Sequence, residues 1–298
     1  MNSKNTNLET IKSKKTLKEL LEFSIINIDK PSGPTSFSVD LIIKNALNLK
    51  KASHFGTLDP MVTGVLPVAL SRACRLMPYF IGKTKTYIGI MRIHEEISEK
   101  KLNEEIKNFI GKITQLPPVK SRVKREERQR EIYRFEILEV SENKKDILFL
   151  AEVEAGTYIR KLVSDLGEKI QGAHMLELRR IQASLFKEAE SYTIYEFLKA
   201  VEEYKKAKNE EPLREMLIPG EIISKVLPIF QVKKQYINKL YHGSPLFKEY
   251  IDNLEKAKEV NLDEKIAVFS EDKFIGTFKI VKSERILANP EFILQPIK

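Results

Sequence analysis

The 298 residues of this chain specify an α+β protein, with a mixed, largely antiparallel sheet in the larger unit and a small β-rich unit after it. Three observations carry this. Strand-like runs at 24–28, 65–70, 85–93 and 147–153 are interleaved with segments whose apolar residues return at helical spacing. Tyr133, Phe135 and Ile137 alternate with Arg134 and Glu136, as in a sheet with one wet face. The last stretch holds short strands at 266–270, 274–281 and 292–296 beside His242-Gly243.

Taken in order, residues 1–23 form an N-terminal extension: a Lys-rich, mobile tail, then a short helix over Thr16–Glu22. Ser24–Ile28 is a strand ended by the turn chemistry of Asp29-Lys30-Pro31-Ser32-Gly33-Pro34. Thr35 or Ser36 caps a helix with Val39, Ile42, Ile43 and Leu47 on one face. A loop, Ser53-His54-Phe55-Gly56-Thr57-Leu58-Asp59-Pro60, precedes the strand at 65–70 and a short helix from Ser71. In it Asp59 is a carboxylate on backbone stiffened by Pro60 and shaped by a Gly-containing turn.

Lys85–Ile93 reads as a strand, and Ser98 caps a helix carrying Leu102, Ile106, Phe109 and Ile110, stopped at Gln115-Leu116-Pro117-Pro118. Thr157 is placed to cap a helix with Ile159, Leu162, Val163 and Leu166 inward, and a strand near 175–181 and a helix over 193–206 follow. Polar composition with Pro212, Pro219 and Gly220 marks a linker over 207–219. The boundaries expected are 24–222 for the larger unit and 223–298 for the smaller.

Composition narrows the function. The net charge of +9 favours polyanionic partners, and Lys120, Arg122, Lys124, Arg125, Arg128, Arg130 and Arg134 concentrate it where a phosphate backbone can use it. The longest apolar run, about six residues at 65–70, is far short of the roughly 20 that cross a bilayer, and the N-terminus lacks the apolar centre of a secretory signal, so the cytoplasm is expected. One cysteine, Cys74, and four histidines leave no disulfide and no multi-Cys zinc site, and neither cofactor nor metal is expected. Cys74 reads as a small buried apolar residue.

Four separated stretches carry groups that would make a site if the fold gathered them: Asp29–Ser36, His54–Pro60, Lys85-Thr86-Tyr87, and Gly156-Thr157-Tyr158-Ile159-Arg160. They offer a carboxylate, an aromatic hydroxyl and a guanidinium, and spacing alone does not say that they meet.

In that order, and with Gly172–Arg180 closing the series, these stretches resemble the motifs of the TruB/dyskerin family of RNA pseudouridine synthases over most of residues 24–187. Gly56-Thr57-Leu58-Asp59-Pro60, Lys85-x-Tyr87 and Ala155–Arg160 are the most specific matches. The resemblance implies a catalytic domain of the pseudouridine synthase type. It makes Asp59 the nucleophile toward the sugar or the uracil ring, Arg160 its charge partner, and Tyr87 the residue that stacks on uracil and accepts its ring-carbon proton. It gives His54 the space vacated by a flipped uridine, has Lys85 brace the loop or meet phosphate, and lets Lys30 and Leu178 shape the pocket. Ser53 stands where the family has Gly.

Within the family, Gln115–Arg125 followed by Ile132-Tyr133 is similar to the archaeal and eukaryotic branch. The C-terminal unit resembles a PUA domain, an RNA-binding β-barrel, although Phe247-Lys248-Glu249 replaces its Pro-Gly pair. Kinship implies the catalytic subunit of an H/ACA guide-RNA particle acting on ribosomal RNA, and on the T-loop uridine of tRNA without a guide. Implied with it are guide RNA and three small partners: a zinc-ribbon protein, a small β-barrel protein and a kink-turn binder. Intact Asp59, Tyr87 and Arg160 argue against a non-catalytic assembly factor of the same fold. No second suitably placed carboxylate supports a glycosidase-like hydrolase.

Overall fold

The computed structural model of the protein describes residues 7–117 and 124–296. The chain begins with α1 (Leu8–Lys14), α2 (Leu17–Glu22), β1 (Ser24–Lys30), α3 (Ser36–Ala46), β2 (Ala52–His54), β3 (Thr63–Leu70), α4 (Met77–Phe80) and β4 (Lys85–Ile93). It continues through α5 (Glu99–Lys107), β5 (Gly111–Gln115), β6 (Arg128–Val140), β7 (Asp146–Val153), α6 (Ile159–Lys169), β8 (Ala173–Ala183), β9 (Phe186–Lys187) and β10 (Tyr192–Thr193). After α7 (Ile194–Ala207), α8 (Glu211–Met216) and β11 (Leu217–Pro219) come β12 (Ile229–Gln231), α9 (Ile237–Tyr241), β13 (Leu246–Phe247), β14 (Lys265–Ser270), β15 (Lys273–Ile280) and β16 (Ile286–Ile293).

The larger sheet has the backbone order β10-β1-β3-β8-β4-β7-β6-β5, with β11 on β1, β2 on β3 and β9 on β8. Its ladders are antiparallel except β1–β10 and β3–β8, so the mixed, largely antiparallel expectation holds. Register lines up one row across its centre: Lys30 opposite Gly64, Gly64 opposite Arg180, and Arg180 opposite Tyr87. Gly64 has φ +99°, and a Cβ there would lie 2.2 Å from the Arg180 carbonyl oxygen, so no larger residue fits this crossing. The second sheet, in the order β12-β14-β15-β16-β13, curls around Phe230, Ile266, Val268 and Phe278 as a half-barrel consistent with a PUA-like fold.

The helices arise largely from local signals. Thr35 caps α3 through the Ser38 N–H, Ser98 caps α5 through Lys101, and Thr16 and Thr193 close capping boxes with Glu19 and Glu196. Buried Val39, Ile43, Leu102, Ile106, Leu162 and Leu166 are the inner faces of α3, α5 and α6 against the sheet. Cys74 is buried, and that burial pushes its thiol up to about 11, an inert side chain as expected. Among the described residues no helix is long and apolar enough to cross a membrane.

Elsewhere the structure departs from the local signals. Residues 8–14, expected as tail, form α1: Ile11 is 4% exposed, and the Arg214 guanidinium donates to the carbonyls of Lys12 and Lys15. The helix expected to run to Gln115 stops at Lys107, because Gly111 takes φ +95° and residues 111–115 pair with β6. Bulges in β6 displace the expected alternation, leaving Ile132 and Phe135 buried while Tyr133 is exposed. Thr157 does not cap α6; its hydroxyl donates to the Glu154 carbonyl, and Tyr158 is the N-cap residue. Residues 207–219 are no linker: Pro212 sits in the first turn of α8, where its missing N–H costs nothing, Leu213 is buried, and Leu217 pairs with Ile26 of β1. The last strand covers Ile286–Ile293 rather than starting at 292.

Candidate active site

The loop Ser53–Pro60 crosses the end of the sheet above the Lys30–Gly64–Arg180–Tyr87 row and is gripped at every turn. Its first residues are β2, antiparallel to β3, and the Phe55 N–H donates to the Pro67 carbonyl. Phe55 stacks on Phe80 with centroids 5.0 Å apart, anchoring that side in the core. Gly56, at φ +106°, turns its carbonyl to the buried Arg180, whose Nη2 donates to it at 2.9 Å while Nε donates to Val65 O at 2.8 Å. The buried backbone of Leu58 is matched by one side chain: Ser36 Oγ donates to Leu58 O and accepts from Leu58 N, at 2.9 and 2.8 Å.

At the far end Lys30 Nζ donates to the carbonyls of Pro31, Pro34 and Pro60, at 2.7, 2.9 and 3.0 Å, and the Gly33 N–H also donates to Pro60 O. Lys30 has no exposed surface, and burial lowers its pKa, opposed by the nearby Asp59 charge. Two buried cations of the same sheet row, Lys30 and Arg180, therefore hold the carbonyls of Pro60 and Gly56 on either side of Asp59. Lys85 is a third: its Nζ donates to Ile81 O and Lys83 O, and burial, aided by the Arg180 charge, brings it down to about 8.

Asp59 itself is exposed. Its Oδ2 lies 2.7 Å from Arg160 Nη2, with the two side chains 51% and 57% exposed. Arg160 stands in the first turn of α6, whose start is set from a distant strand. The amide of Gln115, 2% exposed at the end of β5, accepts from the Tyr158 N–H and donates to the Tyr158 carbonyl. Tyr87 is 8% exposed and lies in the same core as Leu58, Val62, Ile159 and Leu178, which form apolar packing beneath the loop and the start of α6.

The sequence candidates thus divide. Asp59 and Arg160 are in contact, Lys30 fastens the loop, and Tyr87 and Leu178 belong to the packing below it. Lys85 braces the chain before β4 and is too buried to reach a phosphate. His54 is held by Asp40 and Thr57. Of the basic stretch, Lys120 and Arg122 lie outside the described residues. Lys124 and Arg125 are exposed, and Lys124 pairs with Glu126 at 2.9 Å. Ser36, Asp40, Gln115 and the role of Arg180 were not read from the sequence. Each acts on backbone or on a side chain far away in the chain, and a buried polar residue carries no local signal of its distant partner.

Comparison with known proteins identifies the family. Residues 44–159 match the model of the TruB family pseudouridylate synthase N-terminal domain, and residues 160–224 that of the tRNA pseudouridylate synthase B C-terminal domain. A probable tRNA pseudouridine synthase B of Methanothermobacter thermautotrophicus is 41% identical over 236 residues, 79% of this chain and 72% of the relative. One from Methanocaldococcus jannaschii is 39% identical over 241 residues, 80% of this chain and 71% of the relative. The fold also matches a solved Cbf5-Nop10-Gar1 complex, with TM-score 0.86, 34% identity and coverage of 96% of this chain and 89% of the other. A solved H/ACA RNP bound to a substrate RNA containing 2'-deoxyuridine matches with TM-score 0.84, 32% identity and coverage of 96% and 89%. With the carboxylate, its guanidinium partner and the fastened loop all inside the matched span, the chain belongs to the TruB family of pseudouridine synthases, and it is an isomerase of that kind.

Proposed function

We propose that the chain isomerises uridine to pseudouridine in guided ribosomal RNA, as the catalytic subunit of an H/ACA particle, with Asp59 as nucleophile. The observation that carries the assignment of Asp59 is its 2.7 Å pairing with Arg160 on a loop whose backbone is otherwise immobilised. An exposed carboxylate in such a frame reaches a flipped nucleotide without moving its support. The reaction balances as an isomerisation, with no oxidant or cofactor. Asp59 forms a transient bond to the nucleotide, the glycosidic C–N bond breaks, the uracil turns and a C–C bond forms as Asp59 is released. The proton lost from the ring carbon is matched by one gained from solvent at the freed ring nitrogen. Arg160 supplies the counter-charge, Tyr87 the apolar face for the ring and an acceptor for that proton, and Leu178 the floor beside it. Lys120, Arg122, Lys124 and Arg125 contact the RNA backbone.

Guide RNA, and zinc-ribbon, small β-barrel and kink-turn-binding partner proteins, are inferred from the likeness over 96% of the chain to assemblies described as a Cbf5-Nop10-Gar1 complex and a substrate-bound H/ACA RNP. On this reading residues 24–222 are the catalytic domain, 223–298 the PUA-like RNA-binding domain, and the cytoplasm the place of action. Unguided modification of the T-loop uridine of tRNA is the second reading, favoured by the relatives described as probable tRNA pseudouridine synthase B. A pseudouridine assay on bare tRNA and on a guide–target pair, with and without the partner proteins, separates the two. Product only with guide and partners supports the first, product on bare tRNA alone the second, and none on either leaves a non-catalytic assembly factor.

A further inference from the structure

The α3 helix carries a buried carboxylate that nothing in the reaction as described uses. Asp40 is 6% exposed and lies beyond the first turn of α3, where helix-end N–H groups no longer help a negative charge. Its Oδ2 is 2.7 Å from His54 Nδ1, and its Oδ1, equally buried, has no hydrogen-bond partner among the described residues. A carboxylate in that setting is costly, and the imidazole is the contact that offsets the cost. The other ring nitrogen, Nε2, is 3.0 Å from the Thr57 hydroxyl, and Thr57 is two residues from Asp59. With the carboxylate ionised and the ring neutral, Nδ1 carries the ring proton and donates to Asp40, and Nε2 offers its lone pair to the Thr57 O–H.

Ser36 and Asp40 are four residues apart on α3 and so project from one face, a turn apart. The first holds the backbone of Leu58; the second, through His54, holds the side chain of Thr57. One helix face thus clamps both residues that precede the nucleophile. Resting on the assignment of Asp59 above, we propose that Asp40 is a positioning residue for the isomerisation: through the His54 tautomer it selects and the Thr57 hydroxyl that this tautomer accepts, it sets the orientation of the Asp59 loop.

The test combines substrate-free spectroscopy with kinetics on Asp40→Asn, Asp40→Glu and Thr57→Val. In wild-type protein, imidazole nitrogen NMR is expected to report His54 protonated at Nδ1. In Asp40→Asn, whose amide can donate to the ring, the proton is expected to move to Nε2. Small displacements of a reacting group are expensive, so Asp40→Asn and Thr57→Val are each expected to lower the single-turnover rate at saturating RNA by about tenfold or more, with RNA affinity little changed. The double variant should be no slower than the worse single one, since both cut the same chain. Asp40→Glu is expected to restore the Nδ1–H signal and part of the rate.

A wild-type His54 protonated at Nε2, a wild-type rate in Asp40→Asn, or additive losses in the double variant overturns the proposal. Should Asp40→Asn fail to fold, a wild-type rate in Thr57→Val, whose side chain is exposed, overturns it as well. Because the tautomer is read without substrate, its failure is distinct from failure of the proposed function, which would appear as wild-type protein inactive on every RNA tried.

Discussion

Asp59 and Arg160 lie 101 positions apart in the chain and 2.7 Å apart in space, and the asymmetry of their surroundings supports the roles proposed for them. The groups that hold Asp59's loop are buried, whereas Asp59 and its guanidinium partner face solvent. Asp59→Asn keeps the shape and removes the nucleophilic charge, so pseudouridine formation is expected to vanish while RNA affinity stays within a few-fold. Substantial residual product in a radiolabel-release assay would exclude a nucleophilic Asp59. Lys85 makes a different prediction. Its pKa in the folded chain is about 8, against 10.5 for a free lysine, so the unfolded chain binds more protons between those values. Below about pH 8 the fold bears the full cost of a buried charge, and that cost falls as pH rises toward the free-lysine value. Urea unfolding should therefore show wild-type stability increasing relative to Lys85→Met across that window; a pH-independent difference would mean that the site is not desolvated as described.

The loop before β3 behaves as part of the framework even though it bears the proposed nucleophile, because α3, β1 and β8 each fasten a different part of it. Ser36 is the clearest single fastening. Ser36→Ala leaves the buried N–H and C=O of Leu58 without their partner, an expected loss of about 1–3 kcal/mol. Denaturant midpoints should fall accordingly and the single-turnover rate with them, and an unchanged midpoint would show that water replaces the hydroxyl. What sequence reading recovered here follows the range of the interactions. The Thr35 and Ser98 caps, the inward faces of α3 and α6, and β4 over Lys85–Ile93 rest on neighbours a few residues away, and all were legible. β5 and α8 depend on pairing across to β6 and on Arg214 meeting α1, which periodicity does not encode. Thr157 departs from its expected role despite a partner only three residues away, because its hydroxyl turns back to the Glu154 carbonyl instead of capping forward. For the site, residue spacing supplied the groups, but only the family resemblance suggested that they meet.

The two sheets share one apolar cluster, which changes what a separation between them would do. Phe23 and Ile25 at the start of β1, Phe55 of the loop and Phe80 of α4 belong to the same cluster as Ala267, Phe269 and Phe274 of the second sheet. Phe23 stacks on Phe274 with centroids 5.5 Å apart, and across the junction the Tyr79 hydroxyl donates to the Glu291 carboxylate at 2.9 Å and lies 2.6 Å from the Thr277 hydroxyl, which can donate to it. Because Phe55 is two residues from Thr57, the second sheet is tied through this cluster to the loop of Asp59. Deleting residues beyond 225 would therefore uncover the packing of the catalytic part as well as remove an RNA-binding surface, and lost activity in such a deletion would say little about guide recognition. Phe274→Ala is the sharper probe. Truncating a ring in this junction is expected to cost about 3–5 kcal/mol. If the junction couples the two parts, calorimetry should show one transition shifted as a whole to lower temperature, with Phe55 packing and Phe230 packing lost together. If the C-terminal sheet instead melts first, leaving the catalytic part at its wild-type midpoint, the shared cluster is a contact between independent units and the loop does not depend on it.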